Sequence, residues 1–196
     1  MEGPTRSEAP GAPRRRPDAE RNRGRILAAA REAFADDEAE ISMAEVARRA
    51  GVGMATLYRN FPGRRELLEA LYSGEVDAIC QAAATVPGRS PGERFQAWLH
   101  PLFAFFAGKR HIASELLKHT DEDDPVFGGN RDRVLAAGRP LLDAAQLAGE
   151  LRADLDLSQI LDLVHAIATI PGEHDYVAAI LDAALDGLRP PPEVPR

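Results

Sequence analysis

The sequence predicts an all-α protein with two helical domains. Segments of about 15 residues or more are rich in Ala, Leu, Arg, Glu and Asp, and no sustained alternation of β-branched and aromatic residues predicts a strand. A chain of 196 residues can hold a small domain and a larger one, each with its own core. Composition places a tail at 1–17, domains at 18–65 and 66–189, and a second tail at 190–196.

The tail at 1–17 combines Pro, Gly and charge with almost no large apolar side chains, so we expect it to be disordered. A first helix should follow from about Ala19 to Ala35. Its apolar positions recur at helical spacing. They are Ile26, Leu27, Ala30, Ala33 and Phe34.

A short helix is predicted directly after Ser42. The Ser42 hydroxyl and the Glu45 carboxylate can form a capping box, so this helix should begin at Met43. Gly51 should end it, because a residue without a Cβ adopts the left-handed conformation at no cost. The inner face consists of Val46, Ala47 and Ala50.

A second short helix is predicted from about Met54 to Asn60, with Gly53 as its N-cap and Leu57 and Phe61 pointing inward. The outward-facing residues are Thr56, Tyr58, Arg59 and Asn60. Two short helices that cross at a glycine turn are typical of a helix-turn-helix, in which the second helix enters the DNA major groove. The small side chain of Ala47 fits that crossing.

This region resembles the N-terminal DNA-binding domain of the TetR/AcrR family of bacterial transcriptional regulators. The resemblance covers about Arg21 to Tyr72. It rests on three features in register, which are Thr56-Leu57-Tyr58, Phe61 before the break, and Glu66-Leu67-Leu68 after a basic residue. The sequence departs from the family at Glu38, where a glycine commonly ends the first helix. It departs again at Gly53, where many members carry a hydroxyl that contacts phosphate.

We expect DNA contacts from residues of the helix-turn-helix and its flanks. By resemblance, Tyr58 and Arg64 hold phosphates, whereas Met54, Thr56 and Arg59 approach bases. Phosphate contacts set position and base contacts set sequence preference. The full set is Ser42, Arg49, Met54, Thr56, Tyr58, Arg59, Asn60 and Arg64.

The net charge of −7 is unevenly distributed. Residues 1–70 carry 13 basic against 12 acidic side chains, and residues 71–196 carry 11 against 19. Arginines cluster around the first helix and the helix-turn-helix, which suits neutralisation of phosphates, although each one alone could equally be part of a solvated surface. The run Arg14 to Arg16 could reach a minor groove or only add solubility.

A connecting helix is predicted from Arg64 to Val86, and Pro87 to Gly92 form a break after it. Aromatic residues concentrate after Glu93, in a span broken by Pro101 and Gly108. Members of the family that the sequence resembles have an effector cavity between such helices. The alternative is that these aromatic residues only form a hydrophobic core. The candidate cavity residues are Trp98, Leu102, Phe103, Phe106, Leu117 and His165.

Three further helices are predicted at about Arg131–Gly149, Gln159–Ile170 and Asp175–Leu188, with Ser158 capping the middle one. The resemblance implies dimerisation through the last two. Burial of the same apolar faces inside one chain remains the alternative. His165 lies on such a face, so we expect an interior or interface histidine.

The sequence and the resemblance together predict a homodimeric, cytoplasmic transcriptional repressor with no cofactor and no membrane segment. It should bind a palindromic double-stranded operator and release it on binding an unknown small-molecule effector. Cys80 is the only cysteine, so an intrachain disulfide is impossible. No catalytic or metal-binding motif is present. The alternative is a small metal-dependent hydrolase or metal-binding protein. It would use the acidic segment Lys118–Pro125 with His111, His119 or His165.

Overall fold

The computed structural model describes residues 15–34, 41–108, 112, 116 and 125–190. Eight helices lie wholly within these ranges, and the described residues include no strand, so the predicted all-α class is confirmed. In chain order the helices are α1 (Arg15–Ala33), α2 (Met43–Ala50), α3 (Met54–Asn60), α4 (Arg64–Thr85), α5 (Pro91–Gly108), α6 (Pro125–Leu147), α7 (Leu157–Ala168) and α8 (His174–Asp186).

The chain separates into two compact units, Met1–Arg64 and Arg65–Arg196. The division falls at the start of α4, one residue before the boundary drawn from the sequence. Within the described ranges, no helix is both long and apolar enough to cross a bilayer.

Helix α1 begins at Arg15, inside the segment predicted as a disordered tail, and ends at Ala33. Pro17 falls in the first turn, where a missing N–H breaks no intrahelical bond, so proline does not prevent this earlier start. The predicted apolar face is buried except at Leu27, which is half-exposed. Residues 1–14 and 35–40, including the departure at Glu38, lie outside the described residues.

Helix α5 continues through Pro101, where the sequence predicted a break. Proline inside a helix removes one hydrogen bond and costs ~3 kcal/mol. Full burial of a large apolar side chain contributes about 1.5–3 kcal/mol, and several such residues flank Pro101 on both sides, so packing outweighs the local penalty. The buried residues are Phe95, Trp98, Leu99, Leu102, Phe103 and Phe105.

Helix α6 begins at Pro125, six residues before the predicted start at Arg131. The glycine pair Gly128-Gly129 weakens a helix signal in the sequence, since each glycine costs up to about 1 kcal/mol relative to alanine. Proline at the first helical position is well tolerated because its fixed φ suits the first turn.

Helix α7 begins at Leu157, two residues earlier than a cap at Ser158 would allow. Asp156 is the N-cap, and its carboxylate accepts from the Gln159 N–H at 2.9 Å while Gln159 Oε1 accepts from the Asp156 N–H at 2.9 Å. This capping box satisfies two backbone donors, and the predicted cap at Ser158 is wrong. Ser158 instead accepts a hydrogen bond from Arg131.

The core of the second unit joins α4, α5, α6, α7 and α8 around Trp98. The Trp98 side chain is fully buried, and its indole N–H donates to the Ile79 carbonyl at 3.1 Å. Gly138 of α6 lies directly against the ring, and a Cβ there would overlap it. Leu181 and Leu185 of α8 are buried in the same core.

Candidate DNA-binding interface and cavity

Helix α2 begins at Ser42, whose hydroxyl accepts from the Glu45 N–H at 3.2 Å. The other half of the predicted capping box is replaced by ion pairs. The Glu45 carboxylate accepts from Arg48 at 2.7 and 2.8 Å and from Arg49 at 2.7 Å. These hydrogen bonds, that of Arg48 first, lower the pKa of Glu45 from 4.5 to about 2. One carboxylate thus serves two arginines.

The turn between α2 and α3 depends on Gly51, which has φ 62° and ψ 40°. Its N–H donates to the Arg48 carbonyl at 3.2 Å, and the Val52 N–H donates to the Ala47 carbonyl at 3.0 Å. These bonds satisfy the carbonyls at the end of α2. The predicted left-handed glycine and the buried Ala47 at the crossing are both confirmed.

Helix α3 is anchored by Leu57 and Phe61, which are both buried. Gly53 is its N-cap and supplies no side-chain hydrogen bond. Met54 and Tyr58 are large side chains exposed at 39% and 47%. The helix therefore presents an apolar and aromatic surface to solvent on the side away from its anchors.

Polar groups on α3 are bonded to one another. Arg59 is exposed, and its guanidinium donates to the Thr56 hydroxyl at 2.9 Å. The Asn60 side-chain amide donates to the Thr56 carbonyl at 2.8 Å. Thr56 and Asn60 are half-buried. Arg59 consequently has the greatest freedom of the three to reach a ligand.

Two arginines of α1 hold the ends of the short helices. Arg25 donates to the Ala50 carbonyl at 2.6 Å, at the end of α2. Arg23 donates to the Asn60 carbonyl at 3.2 Å, at the end of α3, and its guanidinium lies 4.4 Å from the Phe61 ring centroid. A cation at a helix C-terminus is favourable because carbonyl dipoles point toward it. The clustering of arginines predicted phosphate contacts for both side chains and did not reveal this internal use.

Arg64 also has partners inside the first unit. Its guanidinium donates to the Ile41 carbonyl and lies 5.2 Å from the Phe34 ring centroid. The side chain is half-exposed. Arg64 therefore links Ile41, which precedes the N-cap of α2, to Phe34, which directly follows α1. Its predicted phosphate contact would have to coexist with these interactions.

All eight residues predicted to contact DNA lie between 42 and 64. Ser42, Arg49, Met54, Tyr58 and Arg59 are exposed, and the remaining three are half-buried. Their location in one small unit is consistent with a shared interface. The DNA contacts themselves stay predictions.

The second unit contains a cavity of about 200 Å³. Three predicted effector residues line it, namely Leu102, Phe106 and His165. Trp98 packs in the core and Phe103 lines a different groove, so neither is in contact with this cavity. Leu117 lies outside the described residues. The other lining residues are Tyr72, Val76, Phe105, Phe127, Asn130, Arg131, Val134 and Leu161.

His165 is exposed rather than interior, and its ring lies edge-on to Phe106 with centroids 5.0 Å apart. The spacing of Leu102, Phe105 and Phe106 on one helix face could have identified Phe105 from the sequence. Tyr72 and Phe127 come from α4 and α6, and no local pattern brings these two together.

The metal-binding alternative gains no support. Among the residues that the structure describes, no group of three or more His, Cys, Asp or Glu side chains could hold an ion. His111, His119 and the acidic residues from Lys118 to Asp124 lie outside that part of the chain.

Comparison with known proteins agrees with the geometry. The profile of bacterial regulatory proteins of the tetR family matches residues 26–71, and the profile described as transcriptional regulator SbtR-like, C-terminal domain, matches residues 90–190. The chain therefore belongs to the TetR family. It is a DNA-binding transcriptional regulator.

Two solved structures are similar over most of the chain. A TetR transcription regulatory protein from Mycobacterium vanbaalenii is 32% identical, with 89% of this chain and 98% of that chain covered and a TM-score of 0.71. A TetR transcriptional regulator from Streptomyces coelicolor is also 32% identical, with 86% and 98% covered and a TM-score of 0.70.

A curated relative matches a shorter stretch. The HTH-type transcriptional repressor KstR of Rhodococcus jostii is 41% identical over 56 residues, which are 29% of this chain. The match spans 26% of KstR, about a quarter of its length.

Proposed function

We propose that the chain acts as a homodimeric repressor that binds a palindromic operator and releases it when a small molecule occupies the second unit. Similarity to KstR, which is named a repressor, supports repression. The observation that carries the proposal is the exposed face of α3, where Tyr58 and Arg59 project beside the buried anchors Leu57 and Phe61.

Arg59 and Thr56 are proposed to contact the edges of DNA bases and so to recognise the operator sequence. Met54 is proposed to contact bases beside them. An arginine that makes two hydrogen bonds to a guanine contributes about 1–3 kcal/mol of discrimination. Tyr58 can donate its hydroxyl to a phosphate and fix the register of α3 in the groove.

Phosphate binding is proposed for Arg49 at the end of α2, with Ser42 at its start. Arg49 shares Glu45 with Arg48, so one negative charge already offsets part of the positive charge on this helix. DNA must compete with that carboxylate for the two guanidinium groups. This competition limits non-specific affinity, because each phosphate contact strengthens binding to any sequence.

A dimer is proposed because α3 has only seven residues and reads few base pairs. Two copies of α3, one from each chain of a dimer, would read a palindrome if they reach major grooves about 34–36 Å apart or a multiple of that distance. The outer faces of α7 and α8 carry exposed apolar residues, including Leu163 and Tyr176, that suit a partner. Leu181 and Leu185 face the core of their own chain, so they are poor probes of dimerisation.

Effector binding is proposed for the 200 Å³ cavity. A ligand shifts the DNA-competent population only through its difference in affinity for two conformations. An effector that releases DNA must therefore bind more weakly to the DNA-bound protein, by the same factor.

The test begins with selection of operator sequences from a random duplex library by the purified full-length chain. We expect a palindromic consensus with two half-sites and a stoichiometry of two chains, or a multiple of two, per duplex. Leu163→Glu should lower the molecular mass seen in light scattering, whereas Asp162→Glu, its exposed neighbour, should not. Failure to enrich any sequence would reject the assignment of α3 as a reading helix.

A further inference from the structure

The size of the cavity in the second unit restricts what it can bind. An apolar protein cavity of about 150 Å³ is large enough for benzene. Typical sites for drug-sized ligands measure about 300–1,000 Å³. The volume of about 200 Å³ in this chain therefore suits one six-membered ring with a small substituent.

The walls of the cavity favour a flat aromatic ligand. Tyr72 lies between Phe105 and Phe127, with both ring centroids 5.5 Å away and interplanar angles of 53° and 76°. Phe106 and His165 make a second edge-on pair at 67°. Tilted and edge-on geometries are the favourable ones for aromatic rings, and an additional ring can join such a cluster in the same way.

The charge on the walls is already neutralised. Arg131 is the cation among the lining residues that the structure describes, and it donates to Asp162 at 2.9 Å and to Ser158 at 2.7 Å. An anionic ligand would have to displace the Asp162 carboxylate or approach it closely. Both outcomes cost free energy, since like charges repel and the paired cation provides little net attraction.

Hydrogen-bonding capacity remains at two positions. The buried Asn130 is engaged, because its amide donates to Ser73 at 3.4 Å and its carbonyl accepts from Arg133 at 2.9 Å. The Tyr72 hydroxyl and the His165 imidazole make no hydrogen bond within the described part of the chain, and both line the cavity. Each can donate or accept one hydrogen bond from a neutral polar group.

We infer that the cavity binds an uncharged, single-ring phenol and discriminates against aromatic carboxylates. The ring occupies the space bounded by Tyr72, Phe106 and Phe127, and the phenol hydroxyl bonds to Tyr72 or His165. This inference rests on the proposed function, because it specifies the chemical class of the effector.

Isothermal titration calorimetry of the full-length protein at pH 7, without DNA, tests the ligand class with phenol, benzene, benzoate and 2-naphthol. We expect phenol to bind with a dissociation constant below about 1 mM, which is attainable for a ligand of its size. Benzene, which lacks the hydrogen bond, should bind about fivefold more weakly, and benzoate at least about tenfold more weakly. Benzoate or 2-naphthol binding as tightly as phenol would overturn the inference.

Two matched variants locate the site. Val134→Phe should fill the cavity and weaken phenol binding more than about tenfold. Val177 has the same exposure of 6% but lines the separate groove with Phe103, so Val177→Phe should leave phenol binding unchanged. Equal phenol affinity in both variants would overturn the assignment of the phenol site to this cavity.

Tyr72→Phe provides a test that is independent of cavity filling, because it keeps the ring. The substitution should weaken phenol binding by up to about fivefold and leave benzene binding unaffected if the Tyr72 hydroxyl donates the hydrogen bond. His165→Ala is the corresponding test for the imidazole. Phenol binding that survives both changes together would remove the hydrogen-bonding argument and overturn the inference.

Failure of the proposed effector control can be distinguished from failure of the inferred ligand class. Phenol that binds as expected but never changes operator affinity would contradict effector control and leave the ligand class intact. Release of the operator by benzoate but not by phenol would support effector control and overturn the ligand class.

Discussion

The Arg59 guanidinium donates to the Thr56 hydroxyl across one turn of α3, at a distance of 2.9 Å. The two residues expected to approach bases are therefore joined to each other in the free protein. This bond limits the rotamers of Arg59 before DNA arrives, and ordering a long side chain in advance lowers the entropic cost of binding.

We predict that Arg59→Ala weakens binding to the selected operator by ~1–3 kcal/mol and reduces discrimination against a scrambled duplex. Thr56→Val, which keeps the shape but removes the acceptor, should cause a smaller loss. Because the pair acts as a unit, the double variant should lose less than the sum of the two. Fluorescence anisotropy with both duplexes measures these values.

Arg89→Ala is the matched control, since Arg89 is an exposed cation in the second unit that pairs with Glu93. It should bind DNA as the wild type does. An unchanged ratio of operator to scrambled affinity in Arg59→Ala would contradict base reading by this residue.

Arg64→Ala should destabilise the first unit as well as weaken DNA binding. The charged hydrogen bond to the Ile41 carbonyl and the contact with Phe34 are both lost, and a hydrogen bond to a charged group contributes about 1.5–3 kcal/mol. Chemical denaturation followed by circular dichroism measures the first effect. The slope of log affinity against log salt, shallower by about one, measures the second.

Arg65→Ala is the adjacent control. Arg65 pairs with Glu69 at the surface, and exposed pairs of this kind contribute at most about 1 kcal/mol. Equal stability of the two variants would show that the internal bonds of Arg64 contribute nothing measurable.

Glu45→Gln should strengthen binding to any DNA sequence. The substitution keeps the side-chain shape but removes the charge that Arg48 and Arg49 share, so this carboxylate no longer competes with phosphates for the two guanidinium groups. The salt slope should steepen by up to about one. Glu69→Gln, which removes a carboxylate paired with Arg65, serves as the comparison, and an equal gain there would indicate a general charge effect.

The low pKa of Glu45 makes a specific contribution to acid stability. Its folded-state pKa of about 2 lies below the ordinary 4.5, so the contribution is fully present above the unfolded value and is lost as pH falls through about 2. Carboxyl NMR titration should place the Glu45 midpoint well below 4.5. The Glu45→Gln variant should lack this part of the decline in stability between pH 4.5 and 2. A Glu45 titration midpoint near 4.5 would refute the pairing of its carboxylate with both Arg48 and Arg49.

Gly138→Ala should destabilise the second unit by ~1–3 kcal/mol, because the added methyl overlaps the Trp98 ring and forces the core apart. Gly128→Ala in the same helix meets nothing within 4 Å and should be neutral or stabilising by up to about 1 kcal/mol. Thermal unfolding of the two variants provides the comparison. A Gly138→Ala protein as stable as Gly128→Ala would mean that the core relaxes freely.

The helix-turn-helix was predictable because its signals are local. The Ser42 cap, the left-handed Gly51 and the buried Leu57 each depend on neighbours within a few residues, and all three have their expected conformation or burial. The roles of Arg23 and Arg25 depend on carbonyls 37 and 25 residues away in the sequence. Pattern and charge alone could not distinguish them from arginines that face a phosphate.

The second unit was harder to predict because packing decides its details. Helix α5 passes through Pro101 because burial of the aromatic side chains outweighs the free-energy cost of a proline inside the helix. Helix propensities of single residues do not include this contribution from packing. The cavity is formed by α4, α5, α6 and α7 together, so the sequence identified only those members that lie near the aromatic cluster or on an obvious apolar face.

Trp98 is the only tryptophan in the chain, and its indole is sealed from water and bonded to the Ile79 carbonyl. Tryptophan emission from the intact protein therefore comes entirely from the second unit and should be blue-shifted. Helical ellipticity comes from both units. Melting of the first unit alone would lower ellipticity without changing emission, so the two optical signals together can separate loss of the first unit from loss of the second.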